Sequence, residues 1–299
     1  MQHRDEVKIR PIILSGGCSK NARPLPHDYS PRQFARLLPN ESLFSSALRR
    51  VSDRSRYAAP FIIGNSEHRF FILETLQRMH ITDATVMLER SNRNTATAAI
   101  LAALHETEPG MLHLFMPSDY HITNLPAFHD TVSYGQATAA GNSIVMFGIP
   151  PKRPDTEYDY IIPGQNIDGT PLHRISIFTE APNATFARIL INQGALWNSS
   201  IFLYYSSTMQ EEAKTTAPEY YRQCQKAFEN ATRDKQCITL LHQDYEAIEG
   251  YSFEALFMEQ TERRVVMPGT FGWSHIGSWT SLWQIAEKNH EKKCPYRSG

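Results

Sequence analysis

Residues 9–17 read IRPIILSGG, an apolar run that ends in two glycines. A buried strand that turns through Gly16 and Gly17 toward a helix is typical of a phosphate-binding loop. Glycine lets the backbone approach a phosphate closely, and the following helix offers free N–H groups. Such loops usually add a third glycine and a cation, whereas residues 18–24 here read CSKNARP. A tight turn is the alternative interpretation of the same two glycines.

The composition limits the possible classes of protein. The 299 residues are 41% hydrophobic, which is enough for a large buried core. With 30 Lys and Arg against 31 Asp and Glu, there is no basic excess to favour nucleic acid or an anionic membrane as a partner. The polar N-terminus and the lack of long apolar stretches predict neither a secretory signal nor a membrane span. Four scattered cysteines give no zinc site and favour the cytoplasm.

Short strand-like runs alternate with helical patterns along the first half of the chain. This alternation predicts an α/β fold with a mostly parallel sheet covered by helices on both faces. The predicted strands are 9–14, 61–63, 84–88, 112–116, 143–148, 175–179 and 265–267. The predicted helices are 43–51, 69–79, 95–105, 128–140, 184–193, 207–215 and 218–230. Ligands in such sheets bind at the carboxyl ends of the strands.

The chain is expected to form one domain over residues 1–290. A rigid, polar break with three prolines at 150–155 separates a half at about 8–150 from an aromatic-rich half at about 151–288. Residues 289–299 form a polar tail.

Several polar residues follow the predicted strands and have two possible roles each. Asp119 could hold Mg²⁺ beside a phosphate, or cap a turn. Arg93, Asn94 and Thr95 open a helix, where they would either cap it or meet a base or phosphate. Glu180 could accept hydrogen bonds from sugar hydroxyls, or be a solvated charge. The sequence leaves these alternatives open.

Two segments combine aromatic and small polar residues. Residues 197–202 read WNSSIF, and residues 272–279 read GWSHIGSW. Aromatic faces beside an Asn amide suit a carbohydrate, whose C–H faces stack while its hydroxyls form hydrogen bonds. The alternative is that the tryptophans anchor the core.

Taken in order, these segments resemble the nucleotidyltransferase domain of bacterial mannose-1-phosphate guanylyltransferases, from about residue 9 to residue 283. The supporting segments are PIILSGG at 11–17, PRQF at 31–34, NSEHRF at 65–70, RNTA at 93–96, FGI at 147–149, LWNS at 196–199 and GSW at 277–279. The resemblance implies a Rossmann-like nucleotidyltransferase fold with a nucleotide-binding first half and a sugar-phosphate second half. The implied reaction converts GTP and mannose-1-phosphate to GDP-mannose and pyrophosphate. No C-terminal isomerase domain of the bifunctional members is expected.

The resemblance also assigns roles to individual residues. The implied nucleotide-binding residues are Gly16, Gly17, Glu89, Arg93, Asn94 and Thr95. The candidate sugar-binding residues are Glu180, Asn198 and Asp159, and the candidate metal ligands are Asp119 and His275.

The phosphate-binding loop departs from the family pattern. The family loop reads roughly G-G-x-G-[ST]-R-L-x-P, and its third glycine and its arginine align with Ser19 and Asn21. The cations left as catalytic candidates are Lys20, Arg23 and Arg32, of which Arg32 replaces a family lysine and keeps its charge.

The second half departs from the pattern as well. Glu157 and Asp159 stand where the family has the two glycines of G-Y-G, and Ala181 replaces the lysine that holds the sugar phosphate. Ser200 replaces the glycine after W-N-S. His275 replaces the second metal-binding aspartate, and imidazole is a poor ligand for Mg²⁺.

Loss of one preorganised charge-stabilising group typically costs about 3–4 kcal/mol of transition-state stabilisation. Three such groups are missing: the loop arginine, the lysine that holds the sugar phosphate, and the second metal-binding aspartate, which Asn21, Ala181 and His275 replace. The sequence therefore favours an impaired or inactive paralogue, a pseudoenzyme that still binds a nucleotide or nucleotide sugar. Its expected partners are a second copy or an active relative. The alternative is an active sugar-1-phosphate nucleotidyltransferase with altered substrate or metal preference, in which Asp119 and His275 hold an ion such as Mn²⁺ or Zn²⁺ in place of Mg²⁺.

Overall fold

The structure, a computed structural model, describes residues 8–16, 31–34, 41–107, 110–139, 141–167 and 169–275. Its strands are β1 (Ile9–Ser15), β2 (Phe61–Asn65), β3 (Thr85–Glu89), β4 (Leu112–Pro117), β5 (Tyr120–Ile122), β6 (Ile144–Ile149), β7 (Tyr160–Asn166), β8 (His173–Thr179), β9 (Leu196–Tyr205), β10 (Thr232–Asp234), β11 (Cys237–Thr239), β12 (Arg264–Pro268) and β13 (Trp273–His275). Its α-helices are α1 (Leu43–Arg50), α2 (Arg69–Arg78), α3 (Asn94–His105), α4 (Leu125–Ala139), α5 (Ala184–Asn192), α6 (Ser206–Thr216), α7 (Pro218–Glu229) and α8 (His242–Glu246). One π-helical turn spans Glu254–Met258.

Eleven of the strands form one sheet in the order β10-β11-β3-β2-β1-β4-β9-β6-β12-β8-β7. From the pairings, β8, β9 and β10 run against the other eight strands, so the prediction of a mostly parallel sheet is confirmed. The strands β5 and β13 form a separate antiparallel pair.

The sheet is buried on both faces by two apolar layers. Ile13 of β1 packs into a layer with α1, α2, α4 and α5, whereas the adjacent Ile12 packs into the opposite layer with α3, α6 and α7. Alternation of side chains along a strand sends neighbouring residues to opposite faces, which is why parallel strands read as nearly continuous apolar runs. The α/β arrangement with helices on both faces is therefore confirmed.

All of the predicted strands and helices have counterparts, with ends that differ by a few residues. The largest difference is at α4, which begins at Leu125, three residues before the predicted start. The sequence did not predict the strands β5, β7, β9, β10, β11 and β13. The strand β9 matters most, because it lies antiparallel between β4 and β6 and also pairs with β7.

The strand directions place four loops at one edge of the sheet. The parallel strands β1, β2, β3 and β4 all end there, and β9, which runs the opposite way, begins there. This carboxyl edge therefore collects the candidate residues from both halves of the chain. Within the described ranges, no helix is both long and apolar enough to cross a membrane.

Candidate functional site

A pocket of about 90 Å³ opens at the carboxyl edge, between the ends of β1 and β3 and the start of α3. Its lining residues are Leu14, Gly16, Ile63, Glu89, Asn92, Asn94, Thr95 and Ala98. Four of the residues expected to bind nucleotide thus line the same pocket: Gly16, Glu89, Asn94 and Thr95.

Glu89, the last residue of β3, is the buried acid of this pocket, with 5% of its surface exposed. The Tyr245 hydroxyl donates a hydrogen bond to its Oε2. Burial raises the pKa of Glu89 from 4.5 to about 7, and the Tyr245 bond opposes this shift. A carboxyl whose pKa lies near 7 inside a pocket is a candidate functional group.

The backbone of Gly16 lies so close to this carboxyl group that a side chain at residue 16 would collide with it. A Cβ added at residue 16 would lie 2.5 Å from Oε1 of Glu89, which is closer than real Cβ contacts allow. The glycine after β1 therefore makes room for Glu89.

Gly16→Ala is expected to displace the Glu89 carboxyl group and to lower the free energy of unfolding by about 1–3 kcal/mol, the usual cost of an overpacked site. Urea unfolding measures this effect. Gly141→Ala is the matched control, because its Cβ would meet its nearest neighbour, the Thr138 carbonyl oxygen, at an ordinary 3.4 Å. Equal stabilities of the two variants would contradict the account of Gly16.

The start of α3 is not a free helix N-terminus. The N–H of Ala96 donates to the Tyr251 carbonyl oxygen at 3.2 Å, and the Thr95 hydroxyl accepts the N–H of Phe253 at 2.7 Å. Asn94 has a left-handed backbone with φ of 65°, and its Oδ1 accepts the N–H of Thr95 at 2.9 Å. The N–H groups of Thr95 and Ala96 at the helix start are therefore already hydrogen-bonded by other groups of the protein. A ligand in the pocket would meet side chains there and not these two backbone N–H groups.

Arg93 forms an ion pair with Glu246 of α8. Arg93 does not line the pocket, although the family resemblance implies that it binds nucleotide together with Asn94 and Thr95. Its positive charge is thus balanced by a carboxylate of the protein itself.

The three candidate sugar residues lie together near the start of β9. The N–H of Asn198 donates to the Asp159 carbonyl oxygen at 2.9 Å, and the Asp159 carboxylate accepts the N–H of Ala181 at 3.2 Å. Burial raises the pKa of Asp159. Burial also raises the pKa of Glu180, with the charge of Asp159 acting in the same direction.

Glu254, on the π-helical turn, is a further acid of this region, and no pattern in the sequence points to it. It is 6% exposed and accepts hydrogen bonds from Asn198 Nδ2 at 2.7 Å and from the Ser200 hydroxyl at 3.3 Å. Burial raises the pKa of Glu254, and the charge of Asp159 adds to the effect. The Glu254 carboxylate therefore holds the side-chain amide of Asn198 in one orientation.

Strained backbone occurs at three positions around the candidate site. Asn94, Ala181 and Ser200 have φ values of 65°, 30° and 52°, in the region that favours glycine. Such strain costs about 1–3 kcal/mol per residue and collects at functional sites. At Ser200 the observed φ suits the glycine that the resembling family has there.

Trp197 and Trp273 of the aromatic segments are buried, with 4% of Trp197 and 5% of Trp273 exposed, and the third tryptophan, Trp279, lies outside the described residues. The Tyr158 ring lies between them, with centroid distances of 5.0 Å to Trp197 and 5.3 Å to Trp273. The alternative that these tryptophans anchor the core therefore describes them better than a sugar-stacking surface.

Asp119 and His275 are brought together by the β5–β13 pair, in which His275 lies opposite Tyr120. Asp119 Oδ2 and His275 Nε2 are 3.3 Å apart. In the part of the chain that the structure describes, no group of three or more His, Cys, Asp and Glu could hold a metal ion. One carboxylate and one imidazole do not fit the Mg²⁺ centre that the resemblance implies, because Mg²⁺ takes oxygen ligands.

The remaining catalytic candidates belong to the phosphate-binding loop. Gly17, Lys20 and Arg23 lie outside the described residues. Arg32 begins a short 3₁₀ helix, Arg32–Phe34, of which the structure describes the backbone but not the Arg32 side chain. Their roles stay predictions.

Comparison with known proteins gives the family. The sequence model of the Nucleotidyl transferase family matches residues 10–292. The chain belongs to this family. It is 34% identical over 284 residues to the xanthan biosynthesis protein XanB of Xanthomonas campestris pv. campestris (strain B100), and 33% identical over 287 residues to a mannose-1-phosphate guanylyltransferase of Salmonella montevideo. Both alignments cover 94% of this chain and 60% of the relative, so the chain spans about 60% of the length of these curated relatives.

A solved structure supports the same fold. The crystal structure of a mannose-6-phosphate isomerase from Helicobacter pylori matches 89% of this chain and 99% of its own, with a TM-score of 0.78 and 26% sequence identity. The family match and the guanylyltransferase relative, together with this likeness of fold, confirm the nucleotidyltransferase fold and the resemblance drawn from the motifs. Members of the family bind nucleotide and sugar-phosphate substrates and typically use a divalent metal.

Proposed function

We propose that this protein binds a guanosine nucleotide or GDP-sugar in the Glu89 pocket and that it is a weak or inactive relative of mannose-1-phosphate guanylyltransferases. The observation that carries the proposal is the buried Glu89 carboxyl group beside Gly16. A guanine edge presents two adjacent donors, N1–H and the N2 amino group, and a carboxylate accepts both. An adenine edge lacks this pair of donors.

The proposed weakness rests on the charges at the sugar end. A sugar phosphate would meet the carboxylates of Asp159 and Glu180 without the lysine that Ala181 replaces. Arg93 offers no compensation, because Glu246 balances its charge. Each missing charge-stabilising group is worth about a hundred- to a thousandfold in rate, although such effects are not additive.

Thermal unfolding with and without nucleotides tests the binding. A ligand that binds only the folded protein adds about 2.7 kcal/mol at 100 times its Kd, so GTP and GDP-mannose should raise the melting temperature by several degrees. ATP and UTP are the controls. A response that is equal for all nucleotides, or absent, would contradict a guanosine pocket.

The turnover rate tests the weakness separately. With GTP, mannose-1-phosphate and Mg²⁺, we expect pyrophosphate release far slower than about one per second, a rate in the usual range for enzymes. A turnover near that rate would rule out the impaired form, even if the binding result holds.

The second candidate function is an active transferase with a different sugar or metal. The acidic groups Asp159 and Glu180 favour a cationic sugar over an anionic one, and His275 beside Asp119 favours a different ion. A screen of nucleotides, amino sugars and sugar phosphates with Mg²⁺, Mn²⁺ and Zn²⁺ separates this candidate from the first.

We further propose a cytoplasmic location, where nucleoside triphosphates and sugar phosphates are made, and a partner that is a second copy or an active relative. The buried free thiols Cys224 and Cys237 suit a reducing compartment.

A further inference from the structure

Two side chains from separate short helical turns meet at the carbonyl oxygen of Ser15, the last residue of β1. The Gln33 side-chain amide donates a hydrogen bond to this oxygen from Nε2 at 3.2 Å. Burial lowers the pKa of His68, and a hydrogen bond with the Ser15 backbone opposes this shift, as expected when the imidazole donates to the carbonyl oxygen. Ser15, Gln33 and His68 are all buried. We call these three residues the carbonyl clamp.

The carbonyl clamp lies next to the Glu89 pocket. Its central residue, Ser15, directly precedes Gly16, which lines that pocket. His68 reaches Ser15 because β2 leads into a 3₁₀ turn, Ser66–His68, and Asn65 Oδ1 caps this turn by accepting the N–H of Glu67 at 2.8 Å. The main chain at the edge of the pocket is thus held by side chains from two other segments of the chain.

The 3₁₀ helix Arg32–Phe34 is attached to the fold through its last two residues. The Phe34 ring packs against Phe44 of α1 and Phe71 of α2, with centroid distances of 5.2 Å and 5.4 Å. Gln33 belongs to the carbonyl clamp, so the same helix is also bound to the end of β1. The backbone of Arg32, the residue before Gln33, is therefore fixed beside the point where β1 enters the pocket.

Two polar atoms of the carbonyl clamp, Ser15 Oγ and His68 Nδ1, are buried without a hydrogen-bond partner in the part of the chain that the structure describes. Buried polar atoms without a partner lower stability, and an apolar contact of the same shape avoids this cost. Departures from optimal stability of this kind collect at functional sites. The clamp therefore has the character of a functional support more than of ordinary core packing.

We propose that Gln33 and His68 are positioning residues for phosphate binding. By holding the Ser15 carbonyl oxygen they keep the end of β1 and the backbone of Arg32 together, so that this cationic residue serves the phosphate groups of a nucleotide in the Glu89 pocket. Neither Gln33 nor His68 touches the ligand in this role. That the phosphate belongs to a nucleotide rests on the proposed function, whereas the link between the clamp and Arg32 is a property of the folded chain.

Titration calorimetry of the full chain with inorganic tripolyphosphate tests the proposal, because this probe has phosphate groups and no base. Arg32→Gln should weaken its binding by about 10- to 100-fold, the usual worth of one charge-assisted hydrogen bond. Gln33→Leu should weaken it by about three- to tenfold in the unaltered protein, but by less than about twofold when Arg32→Gln is already present. A merely structural loss would reduce the affinity equally in both backgrounds.

His68 provides an independent pair of variants, which carries the test if Gln33→Leu does not fold. His68→Gln keeps a side-chain N–H donor of similar reach, whereas His68→Leu removes it. The tripolyphosphate affinity should stay within about twofold in His68→Gln and fall by about three- to tenfold in His68→Leu. Gln77→Leu is the matched control for Gln33→Leu, because Gln77 is exposed on α2 and takes no part in the clamp. Its affinity should equal that of the unaltered protein.

Equal losses from Gln33→Leu in the two backgrounds, or a His68→Leu protein that binds tripolyphosphate as well as His68→Gln does, would overturn the proposal. Failure of the unaltered protein to bind tripolyphosphate would overturn it too. These readouts contain no guanine. If guanosine nucleotides raise the melting temperature no more than ATP and UTP do, the proposed function is refuted and the positioning role still stands on the tripolyphosphate result, and the converse holds as well.

Discussion

Glu89→Gln is expected to raise the free energy of unfolding by about 3 kcal/mol at pH 8, and by progressively less as the pH is lowered toward 5. The folded protein holds the Glu89 carboxyl group in a buried pocket, where its pKa is about 7 against a usual value of 4.5. Each unit of pKa difference corresponds to about 1.4 kcal/mol, which gives the expected size.

The sign follows from the proton balance. Between pH 4.5 and 7 the folded protein keeps the Glu89 proton that the unfolded chain releases, so the stability falls as the pH rises through this window. Above pH 7 the Glu89 carboxyl group is ionised in the folded protein as well, and the stabilisation that came from keeping its proton is fully lost. Glutamine has nearly the same shape, can still accept the Tyr245 hydrogen bond and does not ionise. The free energy of unfolding of the variant therefore does not fall with pH on account of residue 89.

Urea unfolding at pH 5, 6, 7 and 8 measures the effect. Glu262→Gln is the matched control, because Glu262 is exposed and its neutralisation should change the stability by about 0.5 kcal/mol or less at every pH. A stability difference between Glu89→Gln and the unaltered protein that does not grow with pH would show that Glu89 is not the buried acid described here.

The same substitution should weaken binding of guanosine nucleotides. Glutamine offers one acceptor oxygen in place of two, and its amino group would oppose the guanine donors. Functional sites commonly contain residues that lower the stability of the folded protein but are needed for binding, and Glu89 is expected to be one of them. A variant that is both more stable and equally able to bind GTP would separate Glu89 from the proposed function.

The sequence predicts the parallel half of the sheet well because each of those strands is buried on both faces. The run at β1 keeps its strand despite Pro11, which lies opposite Leu114, and despite Arg10, whose charge is balanced by Glu106 at 2.5 Å. Fully buried strands show as apolar runs whatever their neighbours are.

The strand β9 could not be predicted in the same way. Its start combines Asn198, Ser199 and Ser200, and the left-handed backbone at Ser200 breaks the regular alternation. The Asn198 and Ser199 side chains can be buried there because Glu254 and the Phe147 carbonyl oxygen accept their hydrogen bonds. Those partners are distant in sequence, so local patterns carry no signal for them.

The candidate site divides along the same line. The motif order indicated Gly16 and Glu89, but not that the missing Cβ of Gly16 makes room for the Glu89 carboxyl group. The roles of Tyr245 and Glu254 could not be predicted, because a tyrosine and an acid on short helical turns have the sequence pattern of ordinary surface residues. Only the tertiary contacts reveal them.

Ala181→Lys is expected to raise kcat/KM for mannose-1-phosphate by about 10- to 100-fold. The family pattern places a phosphate-holding lysine at this position, and one such group is worth about a hundred- to a thousandfold. The lower figure is expected because Asp159 and Glu180 would compete with the sugar phosphate for the new ammonium group. The gain should appear mainly as a lower KM, since the cation binds the phosphate in the ground state as well.

Ala181→Met is the matched control for this gain, because it adds a side chain of similar length without charge. Both variants place a larger side chain at a backbone with φ of 30°, so any strain at residue 181 is common to them. Pyrophosphate release measured with Mg²⁺ and with Zn²⁺ shows whether the charge alone restores turnover. If the lysine and methionine variants have the same kcat/KM, the missing cation at residue 181 does not limit the reaction, and the weakness would have to originate at the phosphate-binding loop or at His275.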